Sequence, residues 1–315
     1  MVLRGFVRQR QNLISYAAQH IQHLQKALVE MNLKLTLVVS DIVGKTGMAI
    51  LKAILAGQRD PRELAKLRDE RCKHTAEEIA LALVGNYREE HLLALKQAVE
   101  LYEFYHSKIA ECDQAIDAYL RRLPNRAGDK PLEPRPAKRK NKDNELRFDA
   151  RKRLDEMLGV DLTAIDGISV SVALTIASKL GPDVSAFRNE KAFSSWLGLA
   201  PNHKITGGKI KSRKTRPGAN RIATALRMAA ASLLRTPTAL GAFGRRMRSR
   251  VGSPKAITAI AHKLAKIVYR MLKYGEDYVR QGAEDYEAQY RERRLEALRR
   301  TATALGYRLE PQAAP

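Results

Sequence analysis

Between Ile14 and Val38 apolar residues return at alternating steps of three and four: Ile14, Ala17, Ile21, Leu24, Leu28, Met31, Leu35 and Val38. This spacing keeps one edge of an α-helix apolar over more than three heptads, a pattern that a strand with its two-residue period cannot use. A second helical period runs from Ile79 to Leu123, with Leu92, Leu95, Val99, Tyr102, Ile109, Cys112 and Ile116 on its apolar edge. Two seams of similar length can close on each other as an antiparallel hairpin, or each can pair with a second copy of the chain; the matched lengths favour the hairpin. Residues 1–120 are therefore expected to form a long helical hairpin or coiled coil for dimerisation. The connection Asp41-Ile-Val-Gly-Lys-Thr-Gly47 supplies glycines for a tight turn, and it also resembles half of a DNA-binding hairpin.

From Arg121 to Arg153 the composition changes. Prolines and glycines precede Pro134-Arg-Pro-Ala-Lys-Arg-Lys-Asn-Lys142, and the stretch holds 13 basic against 5 acidic residues, as expected of a solvated linker. Residues 154–275 read as a compact helical domain, and 276–315 as a charged helical tail. In the domain, Ser253-Pro254 has the form of an N-cap with proline at the first helical position. The helix after it gathers Ile257, Ile260, Ala261, Leu264, Val268 and Met271 on one face and Lys255, Lys263, Lys266, Arg270 and Lys273 on the other. A helix over about 219–234 turns Ile222, Leu226, Ala229, Ala230 and Leu233 inward in the same way. The fold class is mainly α.

Charge narrows the partner. The 315 residues carry a net charge of +23, and the 85 residues from Lys191 to Gly275 contain 19 lysines and arginines and no aspartate or glutamate. Mixed surfaces draw on both signs, so a block of one sign is an electrostatic footprint for a polyanion. It also excludes, within the block, every mechanism that needs a carboxylate to bind metal or accept a proton. A membrane surface would attract the same cations, but no apolar run approaches the roughly 18 residues needed to span, and Met1 opens no signal-peptide pattern. Cys72 and Cys112 lie far apart without a Cys-x-x-Cys partner, so neither a disulfide framework nor a zinc site is expected. Trp196, the only tryptophan, is expected in the core rather than as a platform for bases.

Leu162-Thr-Ala-Ile-Asp-Gly-Ile-Ser169 followed by Val-Ser-Val-Ala-Leu-Thr-Ile-Ala-Ser-Lys-Leu180 reads as a helix-hairpin-helix element. In such elements the N–H groups opening the second helix hold a phosphate, which assigns Gly167 and Ser169 to DNA contact. A second glycine would usually stand where this chain has Ser169, and a packing role for the turn is equally open.

Next comes Phe193-Ser-Ser-Trp-Leu-Gly-Leu-Ala-Pro-Asn-His-Lys204, then Ile-Thr-Gly-Gly-Lys-Ile-Lys-Ser-Arg-Lys-Thr-Arg-Pro-Gly-Ala-Asn-Arg221. The Gly-Ile turn, Trp-Leu-Gly-Leu-Ala-Pro, a hydroxyl residue before Gly-Gly-Lys and the basic loop leading to Asn220-Arg221 together resemble the C-terminal domain of insertion-sequence one-ten family transposases, with Piv-type DNA invertases as relatives. The helical stretch from about Leu3 to Asp113 is similar to the region that links catalytic domains and mediates dimer contacts in that family.

The resemblance implies a two-part enzyme of DNA transposition and recombination. An N-terminal RuvC-like domain with a tetrad of Asp and Glu holds Mg2+, a C-terminal serine attacks the DNA phosphate to form a covalent intermediate, and some members use a structured guide RNA. Thr206 stands at the serine's position, with Ser212 and Thr215 as substitutes in the same loop. Lys204, Lys209, Lys211, Arg213, Lys214, Arg216, Arg221, Lys263 and Arg270 are the expected DNA ligands. The acids of the first hundred residues, such as Asp41, Asp60, Glu63, Asp69, Glu77 and Glu78, are scattered on helical and turn patterns, so a RuvC-like fold cannot be built from them and no metal is expected here. The expectation is a truncated transposase, inactive alone, that partners DNA and either itself or a full-length relative. It is expected in the bacterial cytoplasm at the nucleoid. A module that binds DNA or RNA and dimerises without chemistry remains the alternative.

Overall fold

The computed structural model describes residues 2–128, 131–134, 144–212, 214–218, 220–308 and 310, and for 210, 278–290 and 293 the backbone alone. Arg213 and the basic stretch 135–142 lie outside the described residues. The chain divides into two compact units between Ile116 and Asp117.

The first unit holds α1 (Val2–Glu30), α2 (Leu35–Val38), α3 (Lys45–Leu55), α4 (Pro61–Ala65), α5 (Ala76–Ala82) and most of α6 (Glu89–Arg121). α1 and α6 run antiparallel. Arg10 donates from Nε and Nη2 to the Asp113 carboxylate at 2.5 and 3.3 Å, the Tyr16 and Tyr105 rings lie 5.6 Å apart, and Glu30 meets His91 at 3.3 Å. The two long seams thus close on each other within the chain. Neither seam is continuous, however. Asn32 adopts φ 57°, so α1 ends at Glu30, and Leu35 and Val38 fall on α2. The Lys34 N–H then donates to the Ala82 carbonyl at 2.8 Å, and Ile79 belongs to α5, a separate helix opened by a capping box of Thr75 and Glu78. One core, including Leu24, Leu28, Met31, Ile50, Leu51, Ile54, Leu64, Ile79, Leu95 and Val99, draws on the hairpin and the short helices between its arms. A Cβ at Gly47 would enter the main chain of Ile42, so that glycine serves close packing at the start of α3.

The second unit contains α7 (Ala150–Leu158), a 3-10 turn (Leu162–Ala164), α8 (Val170–Leu180), α9 (Glu190–Trp196), β1 (Lys204–Thr206), β2 (Lys209–Ser212), α10 (Arg221–Leu233), α11 (Ala239–Val251), α12 (Ser253–Tyr274) and α13 (Glu276–Ala304). α12 is its centre and contacts α9, α10, α11 and α13. Its expected apolar face is buried at Ile260, Ala261, Leu264, Val268 and Met271, and α10 buries Ile222, Leu226, Ala229, Ala230 and Leu233 against it. The start of α12 differs from expectation. Ser253 is already helical, Gly252 at φ 81° precedes it, and no side chain caps the end. The basic loop after Pro201 also differs, being a β-hairpin. Among the described residues no helix is long and apolar enough to cross a membrane.

Candidate nucleic-acid interface

The hairpin follows from its sequence. Lys-Ile-Thr and Lys-Ile-Lys flank Gly207-Gly208, and these glycines take φ 56° and 73°, the two positive values that a two-residue turn needs to match the twist of its strands. Thr206 pairs with Lys209 and Ile205 with Ile210, while a register shift after Lys204 brings that residue opposite Ser212. A further bridge between Pro201 and Thr215, and the Asn202 N–H donating to the Lys214 carbonyl at 3.1 Å, extend the ladder towards the base. As a cross-strand pair, Thr206 and Lys209 share one face at the tip. Lys204, Thr206, Lys209, Lys211, Lys214 and Arg216 are all exposed. The arm therefore presents cations and one hydroxyl to solvent, and Ile205, 62% exposed, shows that it is not folded onto the core.

The hairpin root is held by three elements. The chain turns at Gly198 with φ 71°, and a Cβ there would lie 3.4 Å from the Arg216 carbonyl oxygen, so the outgoing arm passes close to the end of α9. Arg227 of α10 donates to the Gly198 carbonyl at 3.5 Å. Asn220 caps α10 by accepting from the Ile222 N–H, and the same side-chain oxygen accepts from Lys179 of α8 at 2.9 Å. The Lys179 ammonium also lies 5.0 Å from the centre of the Trp196 ring. Trp196 is 44% exposed rather than a core residue; one side of it rests on Phe187 and Phe193, which continue inward to buried Tyr269.

The other expected contact residues stand differently. Gly167 takes φ 82°, and a Cβ on it would fall 2.8 Å from Leu233 Cγ, so α8 and α10 close over the turn. The Ser169 hydroxyl accepts from the Val172 N–H at 3.4 Å and lies 2.9 Å from the Ser171 hydroxyl, serving as the N-cap of α8. Arg221 opens α10 and is exposed. The cationic face of α12 was expected to be free; Lys255 is exposed, and the other four cations are engaged within the protein. Lys263 lies 4.1 Å over the Phe243 ring, Lys273 donates to the Tyr269 hydroxyl at 3.2 Å, and both Lys266, at 3.1 Å, and Arg270, with one bond of 3.0 Å, pair with Glu190. Glu190 is the residue just before the acid-free block, so the run lacks carboxylates in sequence but not in space.

Sequence reasoning missed Glu190, Lys179 and the arginines of α11. Arg248 and Arg250 are exposed in its last turn, where cations also complement the helix dipole, whereas Arg245 is used on the Leu234 and Thr236 carbonyls at 3.3 and 2.6 Å. A cluster of four arginines within six residues was the available signal.

Burial works against ionisation of Glu190, but the hydrogen bonds and charges of Arg270 and Lys266 outweigh it and hold the carboxyl below its usual range. A depressed folded value contributes stability that is present above the ordinary glutamate range of about 4.3 and is lost as pH falls through the lower folded value. Glu190→Gln is expected to cost about 1 kcal/mol at neutral pH, since half-exposed Arg270 is screened by solvent. Melting temperatures of the two proteins should converge as the pH is lowered below the ordinary glutamate range.

Among the described residues no group of three or more His, Cys, Asp or Glu stands close enough to hold a metal ion. The Mg2+ of the expected mechanism therefore has no fitting ligand set there. Comparison with known proteins places the hairpin inside a recognised domain. Residues 147–245 match the family profile described as Transposase IS116/IS110/IS902 family. The predicted transposase y4pF/y4sB of Sinorhizobium fredii (strain NBRC 101917 / NGR234) is 32% identical over 126 residues, a match that spans 37% of this chain and 32% of that protein. Residues 147–245, from the end of the linker through the hairpin and α10 into α11, are thus similar to the transposase domain of the IS116/IS110/IS902 family.

Proposed function

We propose that this chain acts in DNA transposition by gripping the DNA backbone with the hairpin 201–215 and the basic residues at its root. The observation that supports the reading most is the exposed arm of Lys204, Lys209, Lys211 and Lys214 within a transposase-family domain, built from a block without carboxylates. Lysine ammoniums on a two-stranded arm contact phosphates as point charges, whatever the base sequence. Thr206 takes the nucleophile position at the tip, where a phosphate held by Lys209 would stand beside its hydroxyl. The block offers no carboxylate to receive the threonine proton. The proton would pass to an imidazole such as that of exposed His203 in the same arm, or to a group brought by another segment, another copy or a partner chain.

Binding of duplex DNA should weaken as salt rises, because released counterions drive it. Lys209→Ala is expected to lower affinity similarly for unrelated sequences and to reduce the slope of log affinity against log salt by about one. Binding insensitive to salt would refute the reading. For the chemistry, a covalent adduct between this chain and DNA, formed with the N-terminal domain of a family member supplied, should vanish in Thr206→Val. An adduct that persists in that variant removes Thr206 from the role. The alternative reading is a binding and dimerising module without chemistry. It predicts unchanged DNA binding and no adduct under any of these conditions.

A further inference from the structure

The ladder of the arm joins its own two strands, from Thr206 and Lys209 at the tip to Pro201 and Thr215 near the base. A two-stranded hairpin is marginal in water by itself, so the direction of this one depends on how its two feet are fixed. The incoming foot is the end of α9 from Trp196 to Gly198, and the outgoing foot is Asn220, the N-cap of α10.

Both feet are met by one side chain that belongs to neither. Lys179, in the last turn of α8, is half-buried and donates to Asn220 Oδ1 at 2.9 Å, while its ammonium lies 5.0 Å from the centre of the Trp196 ring. Each foot is also anchored to its own element. Trp196 packs on Phe187 and Phe193, and Asn220 accepts from the Ile222 N–H at the start of α10. Lysine suits the place on both counts. One ammonium can donate to an amide oxygen and be drawn to the face of an indole in the same pose, whereas an apolar side chain of that length would do neither.

We propose that Lys179 is a positioning residue: by clasping Trp196 and Asn220 it fixes the two feet of the hairpin relative to each other and presets the direction of the DNA-binding arm, without itself contacting phosphate. The proposal rests on the DNA-binding reading above and adds to it a residue of α8, outside the acid-free block. An arm free to swing would make the same phosphate contacts once bound, but binding would first have to hold it still. The signature of lost positioning is therefore a lower affinity at an unchanged salt slope. A lost phosphate contact lowers both.

The test is a salt series of duplex DNA binding by the full chain, with melting temperatures measured on the same samples. Lys179→Met keeps the length of the side chain but neither its charge nor its donor. It is expected to weaken binding roughly threefold to tenfold, the worth of about one hydrogen bond, with the slope of log affinity against log salt unchanged. Asn220→Ser retains an N-cap for α10 and the charge of Lys179 while withdrawing the amide oxygen, and it should lose a similar factor. Lys179→Arg can still donate to Asn220 and lie over the indole, so it should recover most of the affinity. With Lys209→Ala and Lys211→Ala already in place the arm grips less, and Lys179→Met should then cost less than it does in the wild type. A slope lowered by about one in Lys179→Met would make Lys179 a phosphate ligand and overturn the proposal. So would a lowered melting temperature with wild-type affinity, the mark of a purely structural role, or an equal loss with and without the lysines of the arm. Failure of the wild-type chain to bind duplex DNA overturns the DNA-binding reading itself.

Discussion

Asp113→Ala is expected to destabilise the first unit by about 3–5 kcal/mol, a large share of the roughly 5–15 kcal/mol that holds a typical domain. Arg10 and Asp113 are 8% and 2% exposed in their side chains, so removing the carboxylate takes from a buried guanidinium the acceptor of two hydrogen bonds between the helices. Chemical unfolding of the full chain should show the transition of the first unit move to lower denaturant while that of the second unit stays in place. The paired replacement Arg10→Met with Asp113→Leu should recover most of the loss, because an apolar pair of similar bulk avoids the cost of desolvating two charges. A single variant that loses under about 1 kcal/mol would mean that the apolar seam alone sets the hairpin's stability, against the magnitude expected for a broken buried pair.

Gly241→Ala carries the next largest effect, and its sign is not the one helix propensity gives. Gly241 lies in the first turn of α11, where alanine would ordinarily gain up to about 1 kcal/mol. Here a Cβ would fall on the carbonyl oxygens of Thr236 and Leu233 and 2.9 Å from Thr236 Oγ1. Those atoms are main chain or fixed by the Thr236–Thr238 hydrogen bond, so the α10–α11 corner must open. We expect a net loss of about 1–3 kcal/mol, read as a lower melting temperature of the second unit. A variant as stable as the wild type would show that the corner yields without cost.

Much of this architecture was legible in the sequence, and the gaps have physical reasons. Period-three-and-four spacing gave the hairpin of α1 and α6, because burial of a seam leaves its mark at every turn. It did not reveal where the seam breaks: Met31-Asn32 interrupts α1 through a left-handed residue, and no proline or glycine announces it. Nor did it reveal the ion pair, although Arg10 and Asp113 both occupy heptad positions continuous with the apolar edge. A charged residue at such a position reads as flank until its partner, 103 residues away, is brought opposite. The same limit governs the interface. The family resemblance alone put Thr206 forward as a candidate, whereas the Gly-Gly turn between alternating residues was a readable hairpin signal. The engagement of Lys266 and Arg270 by Glu190 was not readable, since charge counted along a sequence says nothing about which acids fold back onto it.

The antiparallel closure of α1 on α6 also acts as a ruler. From Tyr16 to Glu30 the contacts advance fourteen residues along α1, and from Tyr105 to His91 they retreat fourteen along α6. Length in one arm is thus indexed against length in the other. Seven residues inserted into α1 alone would carry Arg10 about two turns away from Asp113, whereas seven added to each arm at the same level would keep every partner in step. The reach of this arm can therefore change only in matched instalments, and the buried pair is the mark that reveals a miscount.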